Sequence, residues 1–200
     1  MEYGVFFGDD EVGKNAEICG IDEAGRGCVA GPLCVAGCVL KKQINGLNDS
    51  KKLSEKRRNE LFKEITANSH YKIVEFSSAQ VDELGLSKCL KTALETIVEF
   101  FKDFDCEIIY DGNTTFGASG FKTLVKADAS VSAVSAASIL AKVTRDKKMI
   151  EFDKEFPEYG FKKNKGYGCK AHIEAIEKFG LSPCHRKSFK IKSLSQKSLF

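Results

Sequence analysis

Polar and apolar positions change period several times along the chain, and each change marks an element. Positions 33–40 read Leu-Cys-Val-Ala-Gly-Cys-Val-Leu with no polar break, the pattern of a strand covered on both faces. The apolar run 18–21 precedes it across a glycine-rich turn and predicts its partner strand. Positions 54–67 carry Leu61, Phe62 and Ile65 at helical spacing, and 71–76 predict a third strand. From Ser87, taken as an N-cap, the positions Leu90, Ala93, Leu94, Ile97, Val98 and Phe101 recur at helical intervals and predict a helix packed on one face. Strands are predicted at 107–110 and 121–125, and a long helix over 130–156. The first half of that helix is crowded with Ala133, Ser135, Ala136, Ala137, Ser138 and Ala141, small side chains that permit close approach to a sheet. A last helix, 170–179, is stopped by Gly180 and Pro183. Strands interleaved with helices define an α/β layer arrangement.

Length and composition narrow the class. Two hundred residues, 42% hydrophobic and 30% charged, suffice for one sizeable core and exclude a disordered chain. The first 13 residues carry Glu2, Asp9, Asp10 and Glu11 without a basic start or a long apolar run, so no signal peptide is expected, and no stretch is long enough to span a membrane. Eight cysteines without a CxxC pair then predict reduced thiols in the cytoplasm rather than zinc or disulfides. Cys34 and Cys38, roughly 13 Å apart along one strand, cannot bridge each other and read as small buried apolar residues. The net charge of +3 identifies no partner, but Lys178, Arg186, Lys187, Lys190, Lys192 and Lys197 follow Glu177 with no acidic residue among them. That end is drawn to phosphate.

The chemistry concentrates where the run 18–21 stops. Asp22 and Glu23 stand side by side, and Gly25-Arg26-Gly27 follows at once. Adjacent carboxylates at a strand end, beside a turn with two glycines around an arginine, suit a divalent-metal site next to a phosphate-binding loop. Taken alone, the pair is an ordinary acidic turn.

The full run IDEAGRG, 21–27, closely resembles the first signature of the type 2 ribonucleases H, ribonuclease HII of bacteria and archaea. NDSKKLS at 48–54, Tyr110-Asp111-Gly112, Asp128 with AASILAKVTRD at 136–146, KGYG at 165–168 and HRKSF at 185–189 fit that family in the same order. The resemblance covers 18–189. It implies a ribonuclease H-like mixed sheet of five strands flanked by helices, with a small helical carboxyl-terminal lobe. The corresponding division is a catalytic domain over 1–160, the lobe over 161–190 and a basic tail over 191–200. It also implies hydrolysis of the RNA strand in RNA–DNA hybrids and at ribonucleotides embedded in duplex DNA, by a monomer, as in ribonucleotide excision repair. The products are a 3′-hydroxyl and a 5′-phosphate.

The same resemblance selects Asp22, Glu23, Asp111 and Asp128 as the metal-binding and catalytic set. Neighbouring strands of an α/β sheet converge at their carboxyl ends, so the four are expected to meet. Two unit charges about 4 Å apart repel by roughly 4 kcal/mol at an effective dielectric near 20, so such a cluster requires cations. Hard oxygen ligands fit Mg²⁺ or Mn²⁺. Two such ions would activate a water and stabilise the departing 3′ oxygen.

By the family's pattern, backbone groups of Gly25, Arg26 and Gly27 contact the 2′-hydroxyl and Tyr167 packs on the sugar at the junction with the next deoxynucleotide. Lys51, Arg186 and Lys187 are the leading candidates for phosphate contacts, ahead of Lys52, Lys142, Arg145 and His185; an internal ion pair with Asp146 is the other reading of Arg145. Gln196-Lys197-Ser198-Leu199-Phe200 resembles the short peptide by which bacterial repair proteins dock on the sliding clamp, with Gln196, Leu199 and Phe200 as its anchors. Three places depart from the pattern. Ala127 replaces a usual glycine before Asp128, Cys169 stands where threonine is common, and Cys28-Val29 replaces Pro-Leu. The competing readings are a resolvase-like metal nuclease indifferent to the 2′-hydroxyl, a silent hybrid-binding module marked by a lost carboxylate, and a serine or cysteine hydrolase, for which no nucleophile-elbow motif exists.

Overall fold

The computed structural model describes residues 17–190. Its centre is a mixed five-stranded sheet in the order β3-β2-β1-β4-β5. The strands are β1 Glu17–Ala24, β2 Leu33–Leu40, β3 Ser69–Phe76, β4 Cys106–Asp111 and β5 Lys122–Leu124. β1 pairs antiparallel with β2, which pairs antiparallel with β3, while β4 runs parallel to both β1 and β5. The unbroken run 33–40 becomes β2 with the predicted ends, and seven of its eight residues are buried. β1 continues past the apolar run as far as Ala24, because Glu23 and Ala24 still pair with Val35 and Cys34.

Helices cover both faces. On one side lie α2 Ser78–Leu84 and α3 Leu86–Phe101, and on the other α1 Glu55–Ala67 and α4 Ser132–Glu155. The stripe of α3 is buried as predicted at Leu90, Ala93, Leu94, Ile97 and Phe101. Burial of its larger side chains contributes roughly 1.5 to 3 kcal/mol each. Gly37 of β2 makes room for this helix, since a Cβ there would stand 2.4 Å from Ile97 Cγ2. On the opposite face α4 comes closer still. A Cβ on Gly20 would meet the backbone nitrogen of Val134 at 2.1 Å, and Ala133, Ala136, Ala137 and Ala141 are all buried.

Ser54 caps α1 by accepting from the Arg57 amide at 3.2 Å. Ser87, by contrast, is not an N-cap. The short helix α2 intervenes, opened by a capping box between Ser77 and Gln80, and Gly85 with φ 82° closes it and starts α3. Ser77 followed by Gln80 was the available signal for α2. The predicted helix 130–156 forms as α4, Ser132–Glu155, and a separate 3-10 turn, Ala127–Ala129, precedes it.

After α4 come a 3-10 turn, Pro157–Tyr159, the short α5 Phe161–Asn164, and α6 Lys170–Phe179, closed by Gly180. Tyr159, Phe161, Ala175, Ile176 and Cys184 form a third apolar cluster with Ala30 and Met149. Main-chain bonds fasten this segment to the loop after β1: Val29 and Ala30 donate to the Gly166 carbonyl, Gly31 to Cys184, and Arg186 to Val29. All eight cysteines are free thiols, and Cys34 and Cys38 are fully buried. No helix among the described residues is long and apolar enough to cross a membrane.

Candidate active site

Side chains alternate across a strand, and this decides how the acidic residues meet. On β1, Cys19 and Ile21 face α3, while Ala24 faces α4. Asp22 therefore projects towards α4 and Glu23 towards α3. Asp111 ends β4, and Asp128 sits in the 3-10 turn leading to α4. Each of Asp22, Asp111 and Asp128 offers one carboxylate oxygen to a group whose members lie within 4.8 Å of one another. Glu23 stands beside that group, within electrostatic reach of Asp22 and Asp111. Its Oε2 accepts from the buried Tyr110 hydroxyl at 2.7 Å, and its Oε1 lies 3.7 Å from Arg26 Nη1.

The acidic group is held by donors. Asp111 accepts from the Lys126 amide at 2.9 Å and the Asp128 amide at 3.5 Å. Lys126, with φ 60°, takes the left-handed turn here, and Ala127 does not, so the glycine absent before Asp128 is not required. Ser135 of α4 donates to the Asp128 carbonyl. Ser138 reaches the Asp22 carboxylate and shares a 2.7 Å hydrogen bond with Ser50, tying the 48–54 segment to the centre. Burial, then the charges of Glu23 and Asp111, push the Asp22 carboxyl well above the usual range. Asp128 is raised by burial, Asp111 and Asp49, and Glu23 by burial against the opposing effects of Tyr110 and Arg26. Three converging carboxylates, with Asp22 and Asp128 held above the usual range, suit a divalent cation, whose charge would offset the burial and the mutual repulsion.

The Gly25-Arg26-Gly27 loop borders this centre. Gly25 has φ 96°, and a Cβ on it would lie 2.3 Å from Arg145 Nε and 2.5 Å from the Pro32 carbonyl. Gly27 has open space at that position. Tyr167 is 48% exposed, and its hydroxyl interacts with the buried Cys28 thiol. Lys51 is exposed and close enough to draw down the carboxyls of Glu23 and Asp128. Lys187 is exposed too, with its amide donating to Asp82 at 2.7 Å. Asp82, which also binds Ser188, is an anchor without a motif of its own.

Three of the basic candidates are buried. Arg186 is 1% exposed, and its guanidinium donates to the carbonyls of Gly31 and Arg26. Arg145 is equally buried and donates to the carbonyls of Pro32, Ala30 and Lys165; the partner of Asp146 is Lys142, not Arg145. His185 is buried against His172 and Ser182. Desolvating a guanidinium is tolerated when it is hydrogen-bonded, and the carbonyls that accept from both arginines brace the loop. Gln196, Leu199 and Phe200 lie outside the described residues.

A ribonuclease H-like mixed sheet with acidic side chains gathered at the ends of two adjacent parallel strands defines a metal-dependent nuclease. Residues 19–192 match the family model of ribonuclease HII, and the chain belongs to that family. It is 61% identical to a ribonuclease HII of Campylobacter concisus over 92% of this chain and all of that one. Among solved structures it resembles ribonuclease HII in its complex with PCNA from Archaeoglobus fulgidus, at 28% identity and a TM-score of 0.75, covering 88% of this chain and 96% of that one. It likewise resembles the ribonuclease H2 of Pyrococcus horikoshii, at 25% identity and a TM-score of 0.70, covering 91% and 98%. The chain is thus a metal-dependent endoribonuclease of the ribonuclease H type.

Proposed function

We propose that the enzyme hydrolyses the RNA strand of RNA–DNA hybrids and cuts at ribonucleotides embedded in duplex DNA, leaving 3′-hydroxyl and 5′-phosphate ends. The observation that carries this reading is the convergence of Asp22, Asp111 and Asp128 beside the Gly25-Arg26-Gly27 loop in a chain of the ribonuclease HII family. Asp22, Asp111 and Asp128 would hold Mg²⁺ or Mn²⁺, a pair of which supplies an activated water and charge neutralisation at the departing 3′ oxygen. Glu23, within electrostatic reach of Asp111 and paired with Arg26, is the fourth acid of the catalytic set and fixes the entry to the loop.

Backbone groups of Gly25, Arg26 and Gly27 read the 2′-hydroxyl, which distinguishes RNA from DNA at the scissile position. The exposed ring of Tyr167 packs on the sugar at the junction. Lys51 and Lys187 contact phosphates, and Arg186 contributes by holding the carbonyls of Gly31 and Arg26. In this division of labour 1–160 supply catalysis, 161–190 the packed lobe that carries Tyr167, and 191–200 the basic tail. The tail peptide with Gln196, Leu199 and Phe200 docks on the sliding clamp, a reading supported by the PCNA complex of the Archaeoglobus fulgidus relative. An enzyme working on DNA in this way acts as a monomer in the bacterial cytoplasm, where the chromosome lies.

The deciding experiment offers Mg²⁺ or Mn²⁺ and three duplexes: DNA with one ribonucleotide, all-DNA and all-RNA. Cleavage confined to the 5′ side of the ribonucleotide supports the proposal. Equal cleavage of the all-DNA duplex rejects it in favour of a nuclease indifferent to the 2′-hydroxyl.

A further inference from the structure

His172 of α6 and His185 are 0% and 2% exposed, and the chemistry above uses neither. The rings of Tyr159 and Phe161 enclose both. Their nitrogens permit one arrangement of protons when both rings are neutral. The Ser182 amide can only donate, and it lies 2.9 Å from His185 Nδ1. That nitrogen therefore accepts, and the proton of His185 resides on Nε2. His172 Nε2, 3.0 Å away, must accept it. The proton of His172 is then on Nδ1, which donates to the Tyr167 carbonyl at 2.8 Å. A directed chain of hydrogen bonds thus runs from the turn after α6 to the residue that presents the exposed ring.

We propose that His172, oriented by His185 and Ser182, is a positioning residue that sets how Tyr167 meets the sugar of the substrate. The inference rests on the reading of Tyr167 as the group that packs on the junction ribose. The Tyr167 main chain is also held by its amide bond to the Asn164 carbonyl at 3.0 Å and by the Cys169 amide at 2.8 Å. The imidazole supplies a third hold on this residue and a second donor to its carbonyl. Two apolar side chains would fill the volume at lower desolvation cost but would leave the carbonyl held by the Cys169 amide alone. Burial keeps both rings neutral, with His185 pushed down to about 4, so the donor order persists at neutral pH.

The test is the ratio of cleavage at a single embedded ribonucleotide to cleavage of a continuous hybrid, measured for Tyr167→Ala, His172→Leu, His172→Asn and His172→Gln. Tyr167→Ala lowers the ratio, and His172→Leu lowers it in the same direction by about tenfold, the scale of one lost hydrogen bond. Adding His172→Leu to Tyr167→Ala lowers it no further, because both act through one ring. His172→Asn keeps a donor where Nδ1 stands and retains the ratio, whereas His172→Gln reaches His185 but lacks that donor and loses it. If His172→Leu fails to fold, the contrast between Asn and Gln still decides, and equal ratios in those two overturn the inference. A lowered ratio in Tyr167→Ala with a normal one in His172→Leu overturns it alone. An unchanged ratio in Tyr167→Ala overturns the reading of Tyr167 and the inference with it.

Discussion

The hydroxyl of Tyr110 donates to the carboxylate of Glu23 at 2.7 Å across the parallel pair of β1 and β4. Tyr110 is fully buried, and burial followed by the Glu23 charge raises its own pKa, so the phenol remains a donor throughout the working range. The bond fixes Glu23 on the face opposite Asp22 and, through Arg26, connects the acidic strand to the loop that follows it.

Tyr110→Phe should therefore destabilise the protein by about 1 to 3 kcal/mol, the range for a buried acceptor left unpaired. The loss is greatest where Glu23 is ionised. Its carboxyl is already raised in the fold, and removal of the donor raises it further, so the deficit should shrink as pH falls from about 8 to about 5. Urea melts at both pH values measure it; an identical deficit at each would assign the loss to packing alone.

Asp22→Asn, Glu23→Gln, Asp111→Asn and Asp128→Asn should each lower turnover by at least about a hundredfold while the far-ultraviolet circular dichroism stays that of wild type. Asp111→Asn is the sharpest case, because Asp111 accepts from the amides of Lys126 and Asp128 and so holds the turn that carries Asp128. Near-normal turnover there would remove it from the metal set.

Mg²⁺ should raise the wild-type melting temperature, since it binds the folded carboxylate group and not the unfolded chain. In chelator, Asp22→Asn should be at least as stable as wild type near neutral pH. The folded-state pKa of Asp22 is raised, so its ionised form weakens the empty fold above that pKa, and protonation on acidification relieves the strain. The advantage of Asp22→Asn should thus narrow as pH falls. A variant that melts well below wild type in chelator at every pH would make the carboxylate structural.

Arg186 and Lys187 are neighbours with opposite expected phenotypes. Arg186→Lys cannot supply a planar fork to the carbonyls of Gly31 and Arg26 and should lower the melting temperature of the free enzyme. Lys187→Ala should leave that temperature nearly unchanged and reduce the salt slope of hybrid binding by about 1. Thermal melts and salt titrations separate the two, and a normal melting temperature in Arg186→Lys would return it to the phosphate contacts.

Deleting Leu199 and Phe200 should leave cleavage of a short free duplex unchanged and abolish binding to the bacterial sliding clamp in a calorimetric titration. Burial of the two side chains contributes roughly 1.5 to 3 kcal/mol each before the tail is ordered, which corresponds to a weak contact. Clamp binding that survives the deletion would reject the docking role.

The sequence by itself determined what depends on neighbours along the chain. The unbroken run 33–40 specified β2 because a strand covered on both faces tolerates no polar break, and the spacing of Leu90, Leu94, Ile97 and Phe101 specified the buried stripe of α3. The acidic residues were visible only as motifs, since nothing local distinguishes Asp128 from a surface acid. Tertiary structure decided which of them meet. Pairing of Glu23 with Val35 extends β1 past the apolar run, and strand alternation then sends adjacent carboxylates to opposite faces. Locally Arg186 reads as a surface charge, and Arg145 as a surface charge or a partner of Asp146. They are buried because carbonyls from positions more than a hundred residues earlier in the chain, Pro32 and Gly31 among them, converge on their guanidinium groups. His172 and His185 stand 13 positions apart and acquire their donor order only where the turn after α6 folds back on it. A periodic pattern reports which face of an element is apolar; which polar groups complete one another is decided by contacts that only the folded chain creates.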